Sequence, residues 1–257
     1  MKPGMEILDG CALYGRPAAP VGAPCVSPSE LLADMDRLGI AECWCADWRA
    51  LENSAALGNR LLGEELSGQP RLHPVWVILP PGTGEIPAPE TLLAEMARAG
   101  VAMVRAEPER HGYSIADWSM GKLWSALERC RVPVLLDPAG RWDQLDALAA
   151  QHPGLPLILT NLTYRLDRVL YPLLARHPNL YLETSGYLGN EGLAELAARF
   201  GPGRAIFGTG SPVIAPEAAL GTLRFSGLSA ADQAAVGNTN LQHLLAEARA
   251  RLTVPAR

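Results

Sequence analysis

Eight short apolar runs, each followed by a polar break and most then by an amphipathic stretch, constrain this chain more than any other feature. The runs are MEILD (5–9), AECWCAD (41–47), HPVWVIL (73–79), VAMVRA (101–106), VPVLLD (132–137), LPLILTN (155–161), NLYLETS (179–185) and RAIFGT (204–209). Between them lie segments such as SPSELLADMDRLG, PETLLAEMARAG, WSMGKLWSALERC and DQLDALAAQHP. Each opens on a capping or acidic residue or Pro and ends near Gly or Pro, the start and stop signals of helices. Strand–helix alternation carried through eight units implies parallel strands with crossover helices. The expected fold is α/β: one (β/α)8 TIM barrel over residues 1–257, close to the ~250 residues typical of such a domain. An open doubly wound sheet is the weaker alternative. No Gly-rich phosphate-binding fingerprint follows any of the runs.

Composition narrows the function classes. With 48% hydrophobic and 19% charged residues the chain can bury a large core. A formal net charge of −5 argues against a nucleic-acid surface, which needs clustered positive charge. No apolar run reaches the ~18 residues of a membrane span, and the start MKPGMEILDG lacks the pattern of a signal peptide. A cytoplasmic location, with no nucleic-acid or membrane partner, is therefore expected. The five cysteines include no CxxC pair and are expected to be small core residues rather than disulfides.

In a parallel barrel, ligands bind where the strands end. The side chains to read are therefore Asp9, Cys11 and Tyr14; Asp47, Trp48 and Arg49; Arg105 and Glu107; Asp137, Arg141 and Trp142; Asn161, Tyr164 and Arg165; Glu183, Ser185 and Tyr187; and Thr209, Gly210 and Ser211.

The order of these motifs resembles the amidohydrolase-related family of metal-dependent TIM-barrel hydrolases and decarboxylases. That family opens on Asp-x-His-x-His-x-Gly, a frame held here by Asp9-Gly10-Cys11-Ala12-Leu13-Tyr14-Gly15. Its fifth and sixth strands close in His, where this chain has Asp137 and Asn161. Its eighth reads Phe-Gly-Ser/Thr-Asp, where this chain reads Phe207-Gly208-Thr209-Gly210. Asn240 matches the Asn common before the last helix. The framing residues persist while the metal-binding ones are changed, so the resemblance implies the fold without carrying a metal across. The expectation is no metal and no other cofactor; a rearranged set such as Asp9, Cys11 and Asp137 is the alternative.

Among the residues left, Asp137 is the first candidate for acid–base chemistry, since a strand-end carboxyl in a partly dry cavity has its pKa raised. The structural alternative is an Asp137–Arg105 ion pair that plugs the mouth. Arg105 is otherwise a clamp for a substrate carboxylate. Asn161 and Ser211 can polarise or orient a substrate oxygen, while Asp9 and Cys11 share an inward face beneath them. Tyr14, Trp48, Trp142 and Tyr164 each stand next to or near an Arg and would make a cationic, aromatic mouth suited to a small carboxylate ligand. Two readings follow: a metal-independent hydrolase or lyase acting on a small carboxylated substrate, aromatic carboxylates included, or a catalytically silent barrel that binds a small ligand or a partner subunit. A homodimer is left open.

Overall fold

The computed structural model describes residues 5–189 and 191–252. Its strands are β1 (Ile7–Tyr14), β2 (Ile40–Asp47), β3 (Leu72–Pro74), β4 (Trp76–Val77), β5 (Val104–Ala106), β6 (Val134–Leu136), β7 (Leu157–Leu159), β8 (Leu180–Glu183) and β9 (Ala205–Ile206). Every strand pairing is parallel. The third expected run is split into β3, which pairs with β2, and β4, which pairs with β5. Pro74 has no N–H to give to the ladder, which favours a break there. The Val75 N–H donates to the Cys45 carbonyl at 2.9 Å and carries the wall across the gap.

The sheet closes on itself through the chain's first and last strands. Gly10 N–H donates to Phe207 O at 3.0 Å, Gly210 N–H to Cys11 O at 2.8 Å, and Leu13 N–H to Ser211 O at 2.7 Å. The barrel expectation holds, and the open doubly wound sheet is excluded. No helix among the described residues is long and apolar enough to cross a membrane.

The helices follow the sequence signals. They are α1 (Pro28–Leu38), α2 (Trp48–Glu52), α3 (Ala55–Glu65), α4 (Pro89–Ala99), α5 (Asp117–Arg129), α6 (Trp142–Gln151), α7 (Asp167–Arg176), α8 (Gly192–Phe200), α9 (Pro216–Arg224), α10 (Ala230–Ala234) and α11 (Asn240–Arg251). Ser27 caps α1 by accepting from the Glu30 N–H, and Gly39 ends it at φ +75°. Their apolar faces cover the barrel against outward residues such as Val104, Leu136 and Leu182, while Val77, Leu135 and Ile158, in register with Arg105, fill its interior. All five cysteines are free thiols.

Candidate functional site

The site is built from strand ends, and its centre is Arg105 at the middle of β5. The side chain is 6% exposed and points into the barrel. Its Nε donates to Glu107 Oε1 at 2.6 Å, and Nη1 lies 3.4 Å from Cys11 Sγ. Burial opposes the guanidinium charge, but Glu107 and then Cys11 outweigh it and hold the Arg105 pKa above its ordinary value. The Asp137–Arg105 pair, the structural alternative raised by the sequence, is thus not formed. Arg105 and Glu107 are two residues apart, so an extended backbone puts both on one face. Glu107 stands among the strand-end residues in the sequence, and this spacing is the signal that it, rather than Asp137, is the partner of Arg105.

The neighbouring acids are more deeply enclosed. Asp9, in β1, accepts from the Cys11 N–H at 3.1 Å, the Thr209 N–H at 2.9 Å and the Thr209 hydroxyl. It therefore ties the first strand to the last, as a support beneath the mouth. Burial pushes the Asp9 carboxyl up, against the pull of the Thr209 bonds. Glu183 closes β8 at 1% exposure and accepts from both the N–H and the hydroxyl of Ser185, at 2.6 and 2.7 Å. Burial drives its pKa up to about 7; the Ser185 bonds and Arg105 pull it down, while Asp9 pushes it further up. Burial and then Glu183 likewise raise the Cys11 thiol, so it is a protonated, inert sulfur at neutral pH.

Asp137 and Asn161 lie apart from this cluster. The Asp137 Oδ2 accepts from Asn161 Nδ2 at 2.7 Å, and Oδ1 from the Ala139 N–H at 2.9 Å. Asp137 is half-buried and Asn161 exposed, with Asn161 held at φ +56°. Among the described residues no cation is paired with Asp137. Of five cavities described, none is lined by Asp137, Arg105 or Asn161. Ser211 borders a cavity of about 670 Å³ with Cys25 and Arg37, and its N–H donates to Thr209 Oγ1 at 3.1 Å. Another, of about 490 Å³, is lined by Leu79, His111 and Tyr113. His111 Nε2 donates to the Leu51 carbonyl there at 2.9 Å.

The aromatic mouth is only partly assembled. Tyr14 and Trp48 are buried, Trp142 is half-buried, and Tyr164 is 51% exposed. Arg165 stacks over Tyr164 at 5.9 Å, as its sequence position suggested. Trp48 is instead covered by Arg110, at 5.7 Å, because Arg49 turns to Asp47 and Glu65. Tyr187 is sealed inside, bonded to Asp167 and Tyr171.

Gly210 stands where the resembled family has an acid, and the backbone there is shaped to glycine. Its φ is +63°, and a Cβ would sit 2.7 Å from the Ser185 Oγ and 2.9 Å from its Cβ. Restoring the acid by Gly210→Asp is expected to lower stability by about 1–3 kcal/mol, read by urea denaturation. An unchanged or higher midpoint would show that Ser185 yields freely.

No curated protein matches the sequence. Solved structures match the fold closely. An uncharacterised TIM-barrel protein from Bordetella bronchiseptica superposes with a TM-score of 0.71 at 18% identity, covering 95% of this chain and 99% of that one. A 2,6-dihydroxybenzoate decarboxylase from Rhizobium gives 0.69 at 15% identity, over 95% and 99%. A dihydroxybenzoic acid decarboxylase from Polaromonas, with bound manganese and an inhibitor, gives 0.69 at 15%, over 94% and 97%. The groups of the present chain do not fit such an ion. Arg105 already lies against Cys11 and Glu107, the Asp9 oxygens are taken by hydrogen bonds, and Gly210 offers no side-chain ligand atom. Among the described residues no group of three or more His, Cys, Asp or Glu is disposed to hold a metal. A model of the amidohydrolase family matches residues 13–242, and with the barrel and its neighbours it places the chain: this protein belongs to the amidohydrolase family.

Proposed function

We propose that this barrel acts by binding a small carboxylated ligand or a partner subunit, and does not turn over substrate at the family's catalytic centre. One observation carries the reading: the polar groups at the bottom of the mouth are spent on one another. Arg105 and Glu107 are each 6% exposed and bonded together, with Cys11, Asp9 and Glu183 enclosed beside them. A substrate reaching that point would have to separate a buried ion pair, which costs several kcal/mol. The carboxylate class is proposed by likeness to the decarboxylases named above, together with the Tyr164–Arg165 pair at the rim.

The test uses 2,6-dihydroxybenzoate as probe, with Mn²⁺, with Zn²⁺ and with chelator. No carbon dioxide release above the uncatalysed rate is expected in any of the three. Metal-stimulated turnover would overturn the proposal. A second reading, metal-independent acid–base chemistry, rests on Asp137 having an amide partner and no cation. It predicts turnover of such a probe that survives chelator and falls at least about a hundredfold in Asp137→Asn.

A further inference from the structure

The ring of helices around the barrel has a gap. Helix α3 packs on α2 and α4 packs on α5, whereas α3 and α4 stand apart. The gap lies over the break between β3 and β4, where Pro74 interrupts the ladder. Asn59, on α3, closes the strand edge left open there. Its side-chain oxygen accepts from the Val77 N–H at 2.8 Å, and its amide donates to the Val77 carbonyl at 2.9 Å. The backbone is thus satisfied without a neighbouring strand, and the space outside it stays open. That space is the largest of the five cavities, about 960 Å³. Val77 shares the inward register of Arg105, so Trp76 points outward into the groove, away from the mouth.

The groove is apolar at its floor and electrically balanced at its rim. Leu66, Leu72, Ile86 and Leu92 form the floor with the half-buried Trp76. Arg60 and Arg98 stand around it with Glu64 and Glu95, two charges of each sign. Burial lowers the pKa of His73, against the pull of Glu42, so His73 is neutral at pH 7. One wall is kept low by Gly63, inside α3, where glycine weakens a helix relative to alanine. A Cβ at Gly63 would meet no atom within 4 Å, so close packing does not demand the glycine. Its effect is to leave the groove open.

We propose that the groove between α3 and α4 is a second binding site, for a neutral and largely apolar small molecule that lies on Trp76. The volume suits one small ligand, and the floor offers it a flat ring and aliphatic side chains. The balanced rim supplies no surplus charge to match an ionised head group, so the ligand carries none. A second copy of the chain fits less well. In a two-fold contact the groove would face itself, with no ridge to fill it. The site lies on the outer wall and is independent of the carboxylate reading of the mouth.

The experiment is a fluorescence titration with N-phenyl-1-naphthylamine, a neutral probe, beside 8-anilinonaphthalene-1-sulfonate, which adds one negative charge to the same rings. One neutral probe per chain is expected, and the sulfonate should bind at least about tenfold more weakly. Gly63→Leu should weaken the neutral probe at least about tenfold by filling the groove, with a Tm no lower than that of the native protein. Ala99→Phe, on the facing helix, should block binding by the same route. Gly221→Leu is the control: it makes the same exchange in α9, outside the groove, where a Cβ also meets nothing within 4 Å. It should leave binding unchanged. The proposal is overturned if the native protein takes up no neutral probe, if the sulfonate binds as tightly, or if both Gly63→Leu and Ala99→Phe bind as the native protein does. A Tm of Gly63→Leu well below the native value also overturns it, since the space would then be filled. So does a native dimer that Gly63→Leu dissociates, which would give the groove to a second copy.

Discussion

Replacing Arg105 by Met is expected to lower the stability of the fold by about 3–5 kcal/mol, the range for breaking a buried ion pair from one side. Methionine fills much of the same volume, so the loss comes from charge rather than from a cavity. It strands Glu107 at 6% exposure, with no other ion-pair partner among the described residues, and takes the donor from Cys11. The measurement is urea denaturation at pH 7. Its control is the double variant Arg105→Met with Glu107→Leu, which removes both charges. A buried pair replaced as a unit by apolar groups is often neutral in stability, so the double variant should recover most of the loss. A single-variant loss below about 1 kcal/mol would mean that solvent reaches the pair and that the mouth is not sealed.

Much of this architecture was legible from the chain. The eight runs were strands because their apolar periodicity and the capped helices between them agreed, which is the kind of consistency that specifies a fold. Asp9 was legible as an inward acid, since its parity with Cys11 is a local property of an extended strand; that it holds the Cys11 and Thr209 backbone is seen only in the structure. The partner of Arg105 was not legible. Arg105 aligns with Leu135 across the ladder and Ala106 with Leu136, so Asp137 falls one residue past the paired end of β6. There it turns back on the Ala139 N–H and meets Asn161 instead. Which way a residue turns beyond a strand end depends on the loop, and the sequence carries no signal for it beyond Pro138 and Gly140. The same limit applies to the aromatic mouth. Adjacent aromatic and Arg residues were read as pairs, yet Arg49 had a buried carboxylate within reach and took it. Charge pairing with Asp47, at 0% exposure, outweighs stacking on a ring.

The native protein is expected to lose stability as pH rises from about 4.5 to 7, and Glu183→Gln should remove most of that slope. The sign follows from where the proton sits. An ordinary glutamate in the unfolded chain has a pKa near 4.5, whereas Glu183 in the fold is pushed up to about 7. Between those values the folded chain keeps a proton that the unfolded chain has released. Stability therefore falls with rising pH across this window and levels off above about 7. The displacement corresponds to a loss of roughly 2–4 kcal/mol for a fully enclosed carboxyl. Asp9, raised by burial, adds in the same direction from a lower starting point. Glutamine keeps an oxygen for the Ser185 N–H, and its amide can donate to the Ser185 hydroxyl, so the hydrogen bonds survive the exchange. Denaturation of both proteins at half-unit steps from pH 5 to 8 isolates the contribution as the difference between the two curves. Parallel curves would mean that Glu183 ionises normally, and that water reaches it at the barrel mouth despite its enclosure beside Ser185.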